Sequence, residues 1–324
     1  MGNDLSKIKL KNSKNRNLSM LDLLAFFFGI IIRSKKYIFV LFLCIPGIAI
    51  IFTLFANHVS EFTVPNYEYL KDFVTRDNFA SALIVMCLPV SVLLMPITIR
   101  EFTNSSLFLQ MSLHKINKVK VVYSLFIVTA VLLIICMLND VWVEAALSTD
   151  TFYSTVNCGF EIGGFIYTLV MCIFTFAAVA VMLGFFLKTN ISILGVGFVF
   201  IVAIFLLGGV VVRNYTFIND DGKTDILYYL VHFIPFNYIQ ADFGTSFTHS
   251  SVYQDSVASL NPNGTVFNPR DGHFWYFPYI NLDTPEHTAW ELWIGLFFPW
   301  VFSGGLLAAV HIQMAKNAKR LNAL

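Results

Sequence analysis

Apolar residues in this chain come in long unbroken runs rather than at amphipathic spacing. Six runs, at 37–55, 79–99, 121–138, 160–187, 191–212 and 290–312, come close to or exceed the roughly 20 residues that carry a helix across a bilayer. They predict an all-α integral membrane protein with six transmembrane helices. A seventh run, at 19–32, is too short to span comfortably. Ser19 stands where a helix cap belongs, and Arg33, Lys35 and Lys36 follow the run before the first span begins. This arrangement predicts an interfacial elbow helix over 19–36, lying along the membrane before the chain turns in. A single kinked span from Leu21 onward is the alternative, and it would bury the three cations at cost.

Polar stretches separate the runs. The segment 100–120 carries Arg100, Lys115, Lys118 and Lys120 against one acid, Glu101. Within it, Leu107, Met111 and Ile116 recur at helical spacing among polar residues. The segment is either a short helix presented along the membrane or a plain basic loop that sets topology. Residues 139–159, with Asp140, Glu144 and Asp150, fall in a loop on the opposite side. The turn at 188–190 is very short. The segment 214–287 is the longest polar interruption, and its part 226–243 is apolar, aromatic and broken by Pro235, which suggests a re-entrant or interfacial element under a cap.

Composition and charge sharpen this picture. The chain has 324 residues, 57% of them hydrophobic and 13% charged, against about 25% charged in soluble domains. With both termini cytoplasmic, 16 of the 21 Lys and Arg residues fall on the cytoplasmic side. Basic tails at 1–18 and 313–324 then flank a transmembrane domain at 37–312. The basic residues mark topology before any nucleic-acid surface. The start of the chain is polar and basic and lacks a cleavage pattern, so no removable leader is expected.

Candidate chemistry is sparse. No GxxxxGK[ST] loop, HExxH or GxSxG occurs, so no catalytic residue and no metal site is assigned. The five cysteines form no close pair and suit apolar packing. Two prolines in the second span, Pro89 and Pro96, predict a bent helix more than a gate. Gly159 and Gly163 give a GxxxG spacing at the start of the fourth span. Glu161 beside them is either a carboxylate at the interface or part of a substrate path. No span has Lys or Arg at its middle, which lowers the reading of an ion-coupled carrier.

In its order of elements the chain resembles the permease subunits of type-2 ABC exporters. An elbow, six spans, and a loop after the second span that starts with Arg100-Glu101, continues through Asn104-Ser105-Ser106 and 107–113, and ends basic at 114–120 carry the resemblance. Ile234-Pro235-Phe236-Asn237-Tyr238 outside the fifth span is a further likeness. The family's glycine after Arg-Glu is not evident here, and Leu113-His114 replaces its proline. The resemblance implies a subunit in the cell membrane that moves an amphiphilic drug, peptide or lipid-like substrate. It implies pairing with a second, identical or homologous permease chain. Two separate ATPase subunits would bind ATP and Mg, so this chain would itself be no enzyme and hold no cofactor. Arg100, Glu101, Leu107, Met111, His114 and Lys115 would couple to the ATPases, alongside elbow residues Asp22, Arg33, Lys35 and Lys36. Glu161, Pro235, Phe236 and Tyr238 would lie on a substrate path or outer gate. A non-transporting membrane binding or immunity-type protein and an ATP-independent carrier or intramembrane enzyme are the other readings.

Overall fold

The computed structural model describes residues 19–63, 67–113, 116–147, 162–208, 210, 233–248 and 285–321. Among these residues the regular structure is helical, with no strand. Six helical stretches are long and apolar enough to cross a membrane: Lys35–Ala56, Asn78–Thr103, Lys118–Leu147, Ile162–Phe186, Asn190–Leu207 and Leu296–Ala315. They follow the six apolar runs in order. By length and composition this is a multi-pass membrane protein.

The short run before them is a separate helix, Met20–Arg33. Ser19 and Asp22 form a reciprocal capping box, with Asp22 N–H donating to Ser19 Oγ at 3.2 Å and Ser19 N–H to Asp22 Oδ2 at 3.0 Å. Leu23, Phe27 and Ile31, one turn apart, face the bundle, where the helix packs on the third span, while Leu21 and Ile32 face outward. At Ser34 the backbone turns extended and a new helix starts at Lys35. This break rules out one continuous kinked span, and it leaves Arg33, Lys35 and Lys36 exposed.

The third span departs most from expectation. Its helix does not end near 138 but runs on to Leu147. A hydropathy window stops at the first polar pair, Asn139-Asp140, but helical period places Asp140 and Glu144 on one stripe with Val143 and Cys136. That stripe faces the bundle: Asp140 is 0% and Glu144 4% exposed, while Trp142 on the opposite side is 73% exposed. These acids belong to the body of the bundle and not to a loop.

The fourth span occupies the centre and touches the second, third and sixth spans and the helix Pro235–Thr248. Spans two, three and four bury 72%, 61% and 67% of their apolar windows, but spans one, five and six only 28%, 17% and 22%. The core is therefore three helices, with three peripheral ones around it. Close approach to the second span depends on two glycines. A Cβ at Gly184 would meet Ile99 Cβ at 2.6 Å, and one at Gly197 would meet Leu93 Cδ2 at 2.9 Å. Gly163, half of the GxxxG spacing, has nothing within 4 Å, and Gly159 lies outside the described residues.

Prolines shape the first two spans by one device. Val40–Cys44 and Pro89–Leu94 are π-helical, and each is followed by one residue and then a proline, Pro46 or Pro96. Ile45 N–H still reaches back five residues to Val40 O. Pro46, next in register, has no N–H, so Leu41 O loses its donor. Asn139 of the third span replaces it, donating from Nδ2 at 2.9 Å. In the second span Val92 O, four residues before Pro96, lies against Gly197, whose added Cβ would stand 3.0 Å away. Near Pro299 of the sixth span, Tyr167 Oη donates to Leu296 O at 2.6 Å and accepts from Trp300 Nε1 at 3.0 Å.

Two outcomes follow. Replacing Gly184 with Val should cost about 1–3 kcal/mol by overpacking, whereas Val at Gly163 should leave thermal stability in detergent nearly unchanged. Asn139→Leu should cost about 1 kcal/mol by orphaning Leu41 O, read as a lower midpoint in the same assay.

Candidate functional site

Two regions carry chemistry, one at the basic end of the bundle and one in its interior. At the basic end, the second span finishes in Met95–Thr103 and the chain turns at Asn104–Ser105 into the short helix Ser106–Leu113. Ser105 Oγ accepts from Phe108 N–H at 3.4 Å and donates to Phe102 O at 2.6 Å, so the serine both ends one helix and begins the next. Three rings then connect three elements. Phe27 of the N-terminal helix meets Phe102 edge-on at 5.0 Å, and Phe102 meets Phe108 of the loop helix at 5.5 Å. Such pairs contribute roughly 0.5–1.5 kcal/mol each beyond burial. Arg100 Nε donates to Lys188 O at 3.0 Å, which fastens the second span to the turn between the fourth and fifth. Thr189 caps the fifth span at that turn, accepting from Ser192 N–H at 3.1 Å. Tyr37, at the start of the first span, donates to Thr98 Oγ1 at 2.5 Å. The N-terminal helix, the loop helix and the turn at 187–189 are thus joined by side chains to the ends of spans one and two.

The expected coupling residues fall in different places. Glu101 is exposed and, among the described residues, makes no ion pair. Arg100 is half-buried and held by the Lys188 carbonyl. Met111 is a correction: it is 4% exposed and packs inward with the core, so it offers nothing to a partner. The apolar period of the loop helix points Met111 at the bundle, as a helix lying on a bundle requires. The Leu107 side chain and residues His114 and Lys115 lie outside what is described. Asp22 caps its helix, while Arg33, Lys35 and Lys36 are exposed.

Of the residues expected at an outer gate, Glu161 lies outside the described residues. Pro235 opens the helix Pro235–Thr248, and Phe236 and Tyr238 are 1% and 2% exposed. Phe236 sits between Phe176 of the fourth span, at 4.6 Å, and Phe200 of the fifth, at 5.5 Å. These residues anchor the start of the helix into the bundle.

The interior region was missed by the hydropathy pattern. It consists of Asn139, Asp140 and Glu144 of the third span with Thr53 of the first, whose hydroxyl donates to Glu144 Oε1. Both oxygens of Asp140 are buried without a hydrogen-bond partner. Cys87, Cys136 and Cys172 are free and buried nearby on spans two, three and four. Among the described residues no group of three His, Cys, Asp or Glu side chains is placed to hold a metal ion. The signal available in the sequence was the i,i+4 spacing of the two acids, which continues the inward face of Cys136.

No family model, no curated protein and no solved structure matches the chain.

Phe102 is 7% exposed and carries both ring contacts. Phe102→Ala should cost about 3 kcal/mol and free the loop helix, read as faster amide exchange across 106–113. Phe102→Leu should recover much of the stability by keeping volume.

Proposed function

We propose that this chain is the membrane-spanning subunit of an ATP-driven exporter in the cell membrane, powered by ATPase subunits made separately. The basic end faces the cytoplasm by the excess of Lys and Arg around it. The N-terminal helix and the loop helix Ser106–Leu113 form the docking surface there, with Glu101 its exposed acid. The observation that carries this reading is the ring series Phe27–Phe102–Phe108 together with the Arg100–Lys188 tie. A displacement of the loop helix by a partner reaches spans one, two, four and five through side chains already in contact, as a rigid-body mechanism needs. Spans one and five show broad apolar faces, including Phe42, Ile51, Phe198 and Val199, which suit lipid on one side and a second permease chain on the other. The cargo class is an amphiphile that passes between the two chains.

A carrier that needs no ATPase is the second reading, and the buried acids Asp140 and Glu144 favour it. Transport by the purified chain alone in liposomes, without nucleotide, would establish it in place of the first.

In the exporter reading a soluble ATPase co-purifies with the chain. Glu101→Gln then weakens coupling by about 1–2 kcal/mol, roughly a tenfold loss of nucleotide-dependent export, with the chain still folded. A cysteine placed at Ser112 should resist an impermeant reagent applied to intact cells. Labelling from outside would place the loop on the wrong face and end this reading.

A further inference from the structure

Among the described residues most buried polar side chains of the interior have a protein partner, the hydroxyls of Ser34 and Ser124 excepted. Thr129, Thr168 and Thr175 each donate to a carbonyl one turn back, at 2.7, 2.9 and 2.8 Å. Ser303 donates to Pro299 O at 2.6 Å and to Thr175 Oγ1 at 3.0 Å. Asp140 has no such partner, although it is the side chain whose charge would be most costly there. Its residue is 0% exposed, and neither carboxyl oxygen receives a hydrogen bond. The neighbouring amide of Asn139 is committed to Leu41 O. Glu144 stands one turn on, 4% exposed, with Thr53 Oγ1 as its donor. Residues at i and i+4 lie roughly 5–6 Å apart at Cβ, so two carboxylates here would repel at close range.

Among the described residues, the groups placed near the pair do not offset that charge. Cys87 of the second span lies within electrostatic reach of Asp140, and Cys136 lies one turn before it on the same helix. The first span contributes the Thr53 hydroxyl and the Leu41 carbonyl, and the fourth contributes Cys172 behind Cys87. Among the described residues none of these is cationic. An isolated carboxylate held in apolar surroundings costs far more than a neutral acid that keeps its own proton.

We propose that Asp140 and Glu144 form a proton-binding site in the interior of the third span, in which Asp140 holds the proton and Glu144 is its exchange partner. In the exchange an O–H bond at Asp140 breaks, an O–H bond forms at a Glu144 carboxylate oxygen, and the negative charge moves to Asp140. No electrons are transferred. The donor to Glu144 comes from the first span, a peripheral helix only 28% buried. Moving Thr53 away removes a hydrogen bond that favours charge at Glu144, so proton occupancy is tied to the position of the first span. The site would operate equally in an ATP-driven exporter and in an independent carrier.

The test is infrared spectroscopy of the purified full chain in lipid nanodiscs. At neutral pH the wild type should show the C=O stretch of a protonated carboxylic acid, shifted down in D2O. Asp140→Asn should remove it by the intensity of one carboxyl, and Glu144→Gln should shift its frequency without removing it. Thr53→Val should shift it as well. A band unaffected by Asp140→Asn, or wild-type and Asp140→Asn spectra that differ only in the carboxylate region, would overturn the proposal. Loss of the band on adding sodium or potassium at constant pH would assign the site to an alkali cation and also overturn it. Should Asp140→Asn fail to fold, the unmodified chain still decides: a hydrophobic carbodiimide should form an adduct on the peptide holding Asp140 at neutral pH and not at alkaline pH. An unmodified peptide, or modification that ignores pH, counts against the site.

Discussion

A carbonyl that loses its amide inside a bilayer has no water to accept from, so another part of the protein must supply the donor. This constraint decides much of how the spans pack. Pro46 removes the donor for Leu41 O, and Asn139 replaces it from the third span. Pro96 follows the same π-helical arrangement in the second span, and there Gly197 brings the fifth span against Val92 O. Around Pro299, Tyr167 and Trp300 tie the fourth span to the sixth. Pro46 therefore does more than bend its helix, because it creates a requirement that Asn139 meets.

The same requirement makes Asp140 distinctive. The fold spends the adjacent amide of Asn139 on a carbonyl and leaves the carboxyl beside it without a donor. Glu144 and Thr53 extend this polar patch across to a peripheral span. Polar groups at the basic end serve another purpose. There Ser19, Asp22, Ser105 and Thr189 begin and end helices, and Arg100 ties the second span to the turn at Lys188. The basic end is thus held by side-chain joints, and the ionisable pair lies between the third span and a peripheral first span.

Much of the fold was legible in the sequence. Runs of roughly 20 apolar residues gave the six spans because a bilayer tolerates little else, and Ser19 announced the start of the N-terminal helix. The turn after the fourth span was equally plain from Lys188-Thr189. Hydropathy failed at 139–147, since it averages over all sides of a helix and the acids occupy only the inward side. It could not show that Met111 faces the core, nor that Gly184 and Gly197, rather than Gly163, mark the close contacts. Those facts depend on which helix lies opposite, and the donor at Leu41 O comes from a residue almost a hundred positions away.

What matters most is that the third helix continues, buried, through Asn139, Asp140 and Glu144. Hydrogen–deuterium exchange of the full chain in lipid nanodiscs reads this directly. Amides from 140 to 146 should exchange as slowly as those at 128–136, deep in the same helix. Exchange at the rate of an aqueous loop across 140–146 would return both acids to solvent and contradict the interior site.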